Sequence, residues 1–229
     1  MRKFKIKIEF EEPPINLVDC DCDKEIALLN NYNYGQIDIL PDTENQLFRY
    51  YHDNAILLLN YYHEVMSEPA FELTNEIRAM FGHLVDYRLK TDPLRENLQK
   101  AYGHFRRLNI DAFKILCDEY DKVFSQKVTN LYKYDYRSVA ANYLRTYLEL
   151  YFEARNLYLD AQNNESLGKN SNNVYEYYFK ALVAYIKLKN YYIKNKEVVE
   201  KRKRKSITFK TLSVLTSLAL SVITASCFW

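Results

Sequence analysis

The sequence predicts an all-α protein: a bundle of long helices with a short N-terminal β segment and a single C-terminal transmembrane helix. Three observations carry this. Gly and Pro number only 4 and 5 in 229 residues, so chain breakers are rare and helices run long. Apolar residues recur at three- and four-residue spacing through most of the chain. The last 19 residues, 211–229, carry no charge and directly follow a basic stretch.

Taken in order, residues 3–10 alternate charged and apolar side chains, Lys-Phe-Lys-Ile-Lys-Ile-Glu-Phe, the signature of a half-buried strand that ends at Pro13-Pro14. Such a strand needs a partner edge, either near 36–40 or on another subunit. A short helix is expected at Lys24–Asn30. Asp42 or Thr43 caps a helix through about Met66. Pro69 permits a new start, and a second helix runs to about Lys90. Thr91-Asp92-Pro93 marks a boundary, with Asp92 as cap and Pro93 at the first helical position. A third helix follows to about 127 and a fourth over about 136–162. The Asn/Ser/Gly-rich segment 163–173 reads as a loop. From Asn173 no breaker appears before the C-terminus. The organisation expected is an N-terminal segment (1–43), a helical bundle (44–173), a helical stalk (174–205) and an anchor (206–229).

Charge is local. Segment 201–210 holds six Lys/Arg and no acid, which leaves 26 basic against 30 acidic residues in 1–200, a net −4. A mildly acidic domain with its positive charge confined to one tail argues against a DNA-binding protein. Lys201, Arg202, Lys203, Arg204 and Lys205 are placed to contact anionic lipid and to hold the flank cytoplasmic. Nineteen residues at about 1.5 Å each are just enough for one span. The expected location is the cell inner membrane, single pass, N-terminal domain cytoplasmic. Residues 1–12 mix charge with apolar side chains and do not form a signal peptide.

Seven of the 19 anchor residues are Ser or Thr. At 100° per residue, Ser213, Thr216, Ser217, Ser221 and Thr224 fall on one side and Val214, Leu215, Leu218 and Val222 on the other. A hydroxyl stripe on a membrane helix faces another helix or water, or bonds its own carbonyls. The first case makes the anchor self-associating and pore-lining. The long final helix also has an apolar face, Tyr178, Leu182, Tyr185, Leu188 and Tyr192, expected at or near a homo-oligomer interface.

A second constellation flanks Pro93. On one helix, Leu73, Ile77, Met80, Phe81 and Leu84 form the apolar face, and Glu76, His83 and Asp86 lie opposite. On the next, Leu94, Leu98, Ala101, Phe105, Leu108, Ala112 and Ile115 form the apolar face, while Asn97, His104 and Asp111 form a polar line at seven-residue spacing near Arg107. A turn at Pro93 makes the two helices antiparallel, so the His–acid groupings can meet, either for acid–base work or as a polar network that sets helix register. No cofactor and no metal are expected. Asp19-Cys20-Asp21-Cys22-Asp23 has no second Cys/His pair and reads as an acidic surface turn. Phosphate-binding Gly loops, Gly-x-Ser-x-Gly and His-Glu-x-x-His are absent from the sequence.

The spacing from Arg78 to His83 resembles the Arg-x4–6-His motif of HEPN domains, small helical bundles that often act as ribonucleases in bacterial conflict systems. That resemblance covers about 44–163 and implies a phosphate contact for Arg78 and action on a 2′-hydroxyl for His83. A helical cytoplasmic domain on one span also resembles membrane effectors of bacterial antiphage and CRISPR-associated defence. Three functions follow as expectations: a membrane-anchored homo-oligomeric effector that permeabilises the membrane under an upstream sensor protein or signal, a tethered HEPN-type ribonuclease, or a passive membrane adaptor.

Overall fold

The computed structural model describes residues 22–32, 39–66, 70–89, 94–133, 141–166 and 174–197, and the regular elements among them are six helices. They are α1 (Cys22–Asn30), α2, α3 (Phe71–Leu89), α4 (Leu94–Lys133), α5 (Ala141–Ser166) and α6 over 174–197. The α2 helix has two α-helical parts, Glu44–Tyr50 and Ile56–Val65, joined by a π-helical turn at Tyr51–Ala55. The chain is thus an all-α six-helix bundle over the described residues. The strand expected at 3–10, the basic cluster 201–205 and the anchor 206–229 lie outside them. Among the described residues no helix is long and apolar enough to cross a membrane.

Local chemistry sets the ends of these helices. Thr43 is the N-cap of α2: its hydroxyl accepts the Gln46 N–H at 3.2 Å. The Gln46 side chain reaches back to accept the Asp42 N–H at 2.9 Å, a close variant of the capping box. In the π-helical turn the Ile56 N–H bonds the Tyr51 carbonyl, five residues back. Within this widened turn the buried Asn54 side-chain amide also donates to the Tyr50 carbonyl, at 3.2 Å.

The α4 helix is the axis of the fold. At 40 residues it is about 60 Å long. The α3 helix packs along its first half, and α2, α5 and α6 cover the rest. From α4, Leu98, Ala101, Phe105, Leu108, Ala112, Phe113, Leu116, Tyr120 and Phe124 are buried, at helical spacing. From α5 the buried face is Tyr143, Tyr147, Tyr151, Ala154, Tyr158 and Ala161.

Tyrosine fills this core, and several of its hydroxyls find carboxylate partners. Asp118 of α4 accepts from Tyr158, and Asp121 accepts from Tyr185 at 3.0 Å. Glu165 accepts from Tyr178 at 2.6 Å and from Lys114 at 2.7 Å. Arg106 sits 5.9 Å from the centroids of both Tyr102 and Tyr175, and Lys127 lies 4.4 Å above the Tyr192 ring. A tyrosine buries a large apolar ring and needs only one polar partner at its tip.

Two expectations change here. Over 174–197 the final helix is part of the bundle and does not stand apart as a stalk. Tyr178, Leu182, Tyr185 and Leu188, the face expected at a subunit interface, are fully buried within the chain, because α4 and α5 present tyrosines and acids that complete it. Correspondingly, α1 belongs to the bundle rather than to a separate N-terminal segment. Leu29 and Tyr32 are buried, and Tyr32 donates to Asn109 of α4 at 2.9 Å. Elsewhere shifts are small: α4 runs to Lys133, past the expected end, and α1 already begins at Cys22, inside the acidic run.

Candidate functional site

The α3–α4 hairpin brings the two His–acid groupings together. Antiparallel packing sets Glu76 of α3 beside His104 and Arg107 of α4, one turn apart on the same edge. His104 Nδ1 lies 2.7 Å from Glu76 Oε2, and Arg107 donates from Nε to the same oxygen at 3.1 Å. Arg107 Nη2 is in turn 2.8 Å from His104 Nδ1. A guanidinium has no acceptor atom. Nδ1 therefore donates to Glu76 in one tautomer and accepts from Arg107 in the other, so proton position on the ring is coupled to the ion pair. The His83 ring lies over His104 with centroids 5.3 Å apart and planes 22° from parallel. His83 Nδ1 is buried without a hydrogen-bond partner.

Burial is partial throughout: the side chains of Glu76, His104 and Arg107 are 20%, 19% and 54% exposed. Asp111 lies one turn further along α4. Its carboxyl is held above the usual aspartate range by burial, with Lys114 opposing and Glu76 adding to the shift. Asn97, at the other end of the seven-residue line, is buried with its amide nitrogen unpartnered. Asp86 is exposed on the outer side of α3 and does not join the Glu76–His104–Arg107 bonds. Phe81, placed by periodicity on the apolar face, is 38% exposed and leans sideways on Phe48 and Tyr51.

The pair Arg78 and His83 diverges. Five residues apart, the two side chains leave α3 about 140° from one another. Arg78 is exposed on the outer side while His83 turns toward α4. A single copy therefore does not offer both to one phosphate. Among the described residues no group of three or more His, Cys, Asp or Glu is arranged to hold a metal ion. Cys117 is buried, and burial raises its thiol well above the usual range, which suits packing and not nucleophilic work. The membrane-surface residues Lys201–Lys205 and the hydroxyl stripe Ser213, Thr216, Ser217, Ser221 and Thr224 lie outside the described residues.

Sequence reasoning missed a second polar cluster. Lys189 of α6 is fully buried and its ammonium donates to Glu25 Oε1 of α1 at 2.6 Å. Tyr61 of α2 donates to Glu25 Oε2 at 3.3 Å and shares a 2.8 Å hydrogen bond with the Tyr120 hydroxyl of α4. The signal was present: Lys189 stands eleven residues after Tyr178, about 20° from it around the helix, on the buried face.

The fold and this site define the class as an all-α helical bundle with a half-buried His/Glu/Arg cluster in its first long hairpin. Comparison with protein-family models, curated proteins and solved structures returns no match to this chain.

Proposed function

We propose that this chain is a membrane-anchored, homo-oligomeric effector of bacterial antiphage defence that acts by permeabilising the inner membrane. One observation carries the reading. The core-locked helix α6 reaches residue 197, four residues before the basic cluster at 201–205 and fourteen before the charge-free run at 211–229. On this reading a change of packing in the bundle would reach the anchor across only a short stretch of sequence. The hydroxyls of Ser213, Ser217, Ser221 and Thr224 would solvate ions where lipid cannot. Defence itself rests on the resemblance to small helical effectors with one span, and the trigger would be an upstream sensor protein or signal.

The test is leakage of ions or dye from cells expressing the full chain. Changing those four residues to Leu raises apolarity, keeps insertion and abolishes leakage. Leakage that persists in this variant sinks the pore, and release of the full chain from membranes at high pH sinks the anchor.

A tethered ribonuclease of HEPN type is the second reading, and the stacked His83–His104 pair with Glu76 and Arg107 is what favours it. Against it stands the net negative charge of residues 1–200. A passive adaptor would need neither hydroxyls nor histidine.

A further inference from the structure

We propose that the outer face of α3 is the surface on which a second copy of this chain docks, antiparallel, about a two-fold axis at Gly82. This rests on the homo-oligomeric part of the function proposed above and supplies the contact between cytoplasmic bundles.

The face is largely apolar and exposed, with Phe81 at its edge against Phe48 and Tyr51 of α2. Phe71, Phe81, Val85 and Leu89 are 71%, 38%, 55% and 67% exposed, half of the large apolar side chains exposed among the described residues. At 100° per residue all four fall within an arc of about 100°, and the same arc holds Arg78 and Gly82. An uncovered apolar stripe along one helix marks an interaction surface.

Its charges and its glycine specify the occupant. Gly82 is exposed, and a Cβ built there meets no atom within 4 Å, so the glycine is not required by packing inside the chain. It does allow two helices to approach closely. Arg78 lies one turn before Gly82 and Asp86 one turn after, and both are exposed. An antiparallel copy centred on Gly82 carries each Arg78 to the other copy's Asp86, twice by symmetry. The same operation sets Phe81 against Phe81 of the second copy beside the axis, with Val85 flanking them, and moves Leu89 toward Phe71. A parallel pairing would instead place Arg78 on Arg78 and Asp86 on Asp86. The pattern is thus self-complementary in one orientation only. A common membrane anchor raises the effective concentration of bundles, so one helix face suffices.

The test uses the full chain in native membranes, with Cys20, Cys22 and Cys227 changed to Ser and Gly82→Cys introduced. Mild oxidation with copper phenanthroline should give a disulfide-linked dimer, whereas Glu153→Cys, exposed on α5, should give none. Arg78→Glu should remove most of the linked dimer, and Arg78→Glu with Asp86→Arg should restore it. Gly82→Trp, which the open space tolerates in the monomer, should reduce the oligomer seen by light scattering in mild detergent without altering the circular dichroism spectrum. A link that ignores both charge changes overturns the antiparallel register. Oligomers that persist with no link at 82 overturn α3 as the surface but leave the homo-oligomer standing. A monomer under every condition overturns both.

Discussion

The Lys189 ammonium is held 2.6 Å from the Glu25 carboxylate with neither group reaching solvent, their side chains 0% and 5% exposed. The pair joins the first described helix to the last, 164 residues apart. Tyr61 occupies the second carboxylate oxygen and Tyr120 backs Tyr61, so four helices meet at one ion pair. Burying two charges costs several kcal/mol each, and mutual attraction offsets this only where geometry is good and lone pairs are filled. Its contribution is best seen as register: α1, nine residues long and too short to hold helical shape alone, is fixed against α6 at one position.

Breaking one half of that pair should cost far more than removing both. Lys189→Met leaves Glu25 buried and charged, and Glu25→Leu leaves Lys189 the same way. Each should destabilise by about 3–5 kcal/mol, while the double replacement should lose much less. Thermal unfolding followed by circular dichroism, closed as a double-mutant cycle, measures this. Additive single effects would show that the two groups do not interact.

Alkaline stability should fall steeply from pH 10 upward. Burial raises the phenols of Tyr158, Tyr178 and Tyr185 above their ordinary 10.0, and hydrogen bonds to Asp118, Glu165 and Asp121 add to the effect. Between the unfolded and folded values the folded state holds more protons, so stability present below pH 10 is lost as pH rises. Absorbance at 295 nm should show the buried phenols ionising together with loss of ellipticity, not before it. Gradual ionisation in a chain that stays folded would contradict the packing of these rings.

Much of this fold was legible because its helices are strongly periodic and rarely broken. Thr43, the Pro93 boundary and the break before 174 placed helix ends to within a few residues, since caps and breakers act locally. The meeting of Glu76 and His83 with His104 followed from one turn and two spacings. The Lys189–Glu25 contact did not, because no local pattern names a partner 164 residues away. The abundance of tyrosine was equally mute: 22 phenols acquire meaning only once Asp118, Asp121 and Glu165 lie at their tips. Period alone places Phe81 in the core, although α3 is apolar on two sides and a single helical wheel does not rank them.

Asp111 should make the protein less stable as pH rises through the carboxylate range. Its folded value is raised, chiefly by burial, above the ordinary 3.8, so the folded state binds a proton that the unfolded state releases. Stability from this group is present below 3.8 and is lost as pH climbs through the folded value. Asp111→Asn should flatten that part of a melting-temperature profile taken between about pH 3.5 and 7 and raise the neutral end. An unchanged profile would show that Lys114 and Arg107 already compensate the charge.

The histidine cluster separates the two functional readings. Glu76→Ala removes the acceptor shared by His104 and Arg107. Because Arg107 is half-exposed and Glu76 and His104 are still partly open to solvent, screening limits the loss to about 1–2 kcal/mol of stability. His83→Ala removes a stacked ring and an unpartnered nitrogen, and should cost about 1 kcal/mol. If the cluster only sets the register of α3 against α4, both variants keep growth arrest and membrane leakage once expression is matched. Growth arrest lost in His83→Ala, with melting temperature and membrane association intact, is not a packing effect. Paired with arrest that survives replacement of Ser213, Ser217, Ser221 and Thr224 by Leu, that result would transfer the activity from the anchor to the hairpin. The stacked imidazoles would then be the place to look for proton transfer, with RNA cleavage in the arrested cells as the readout.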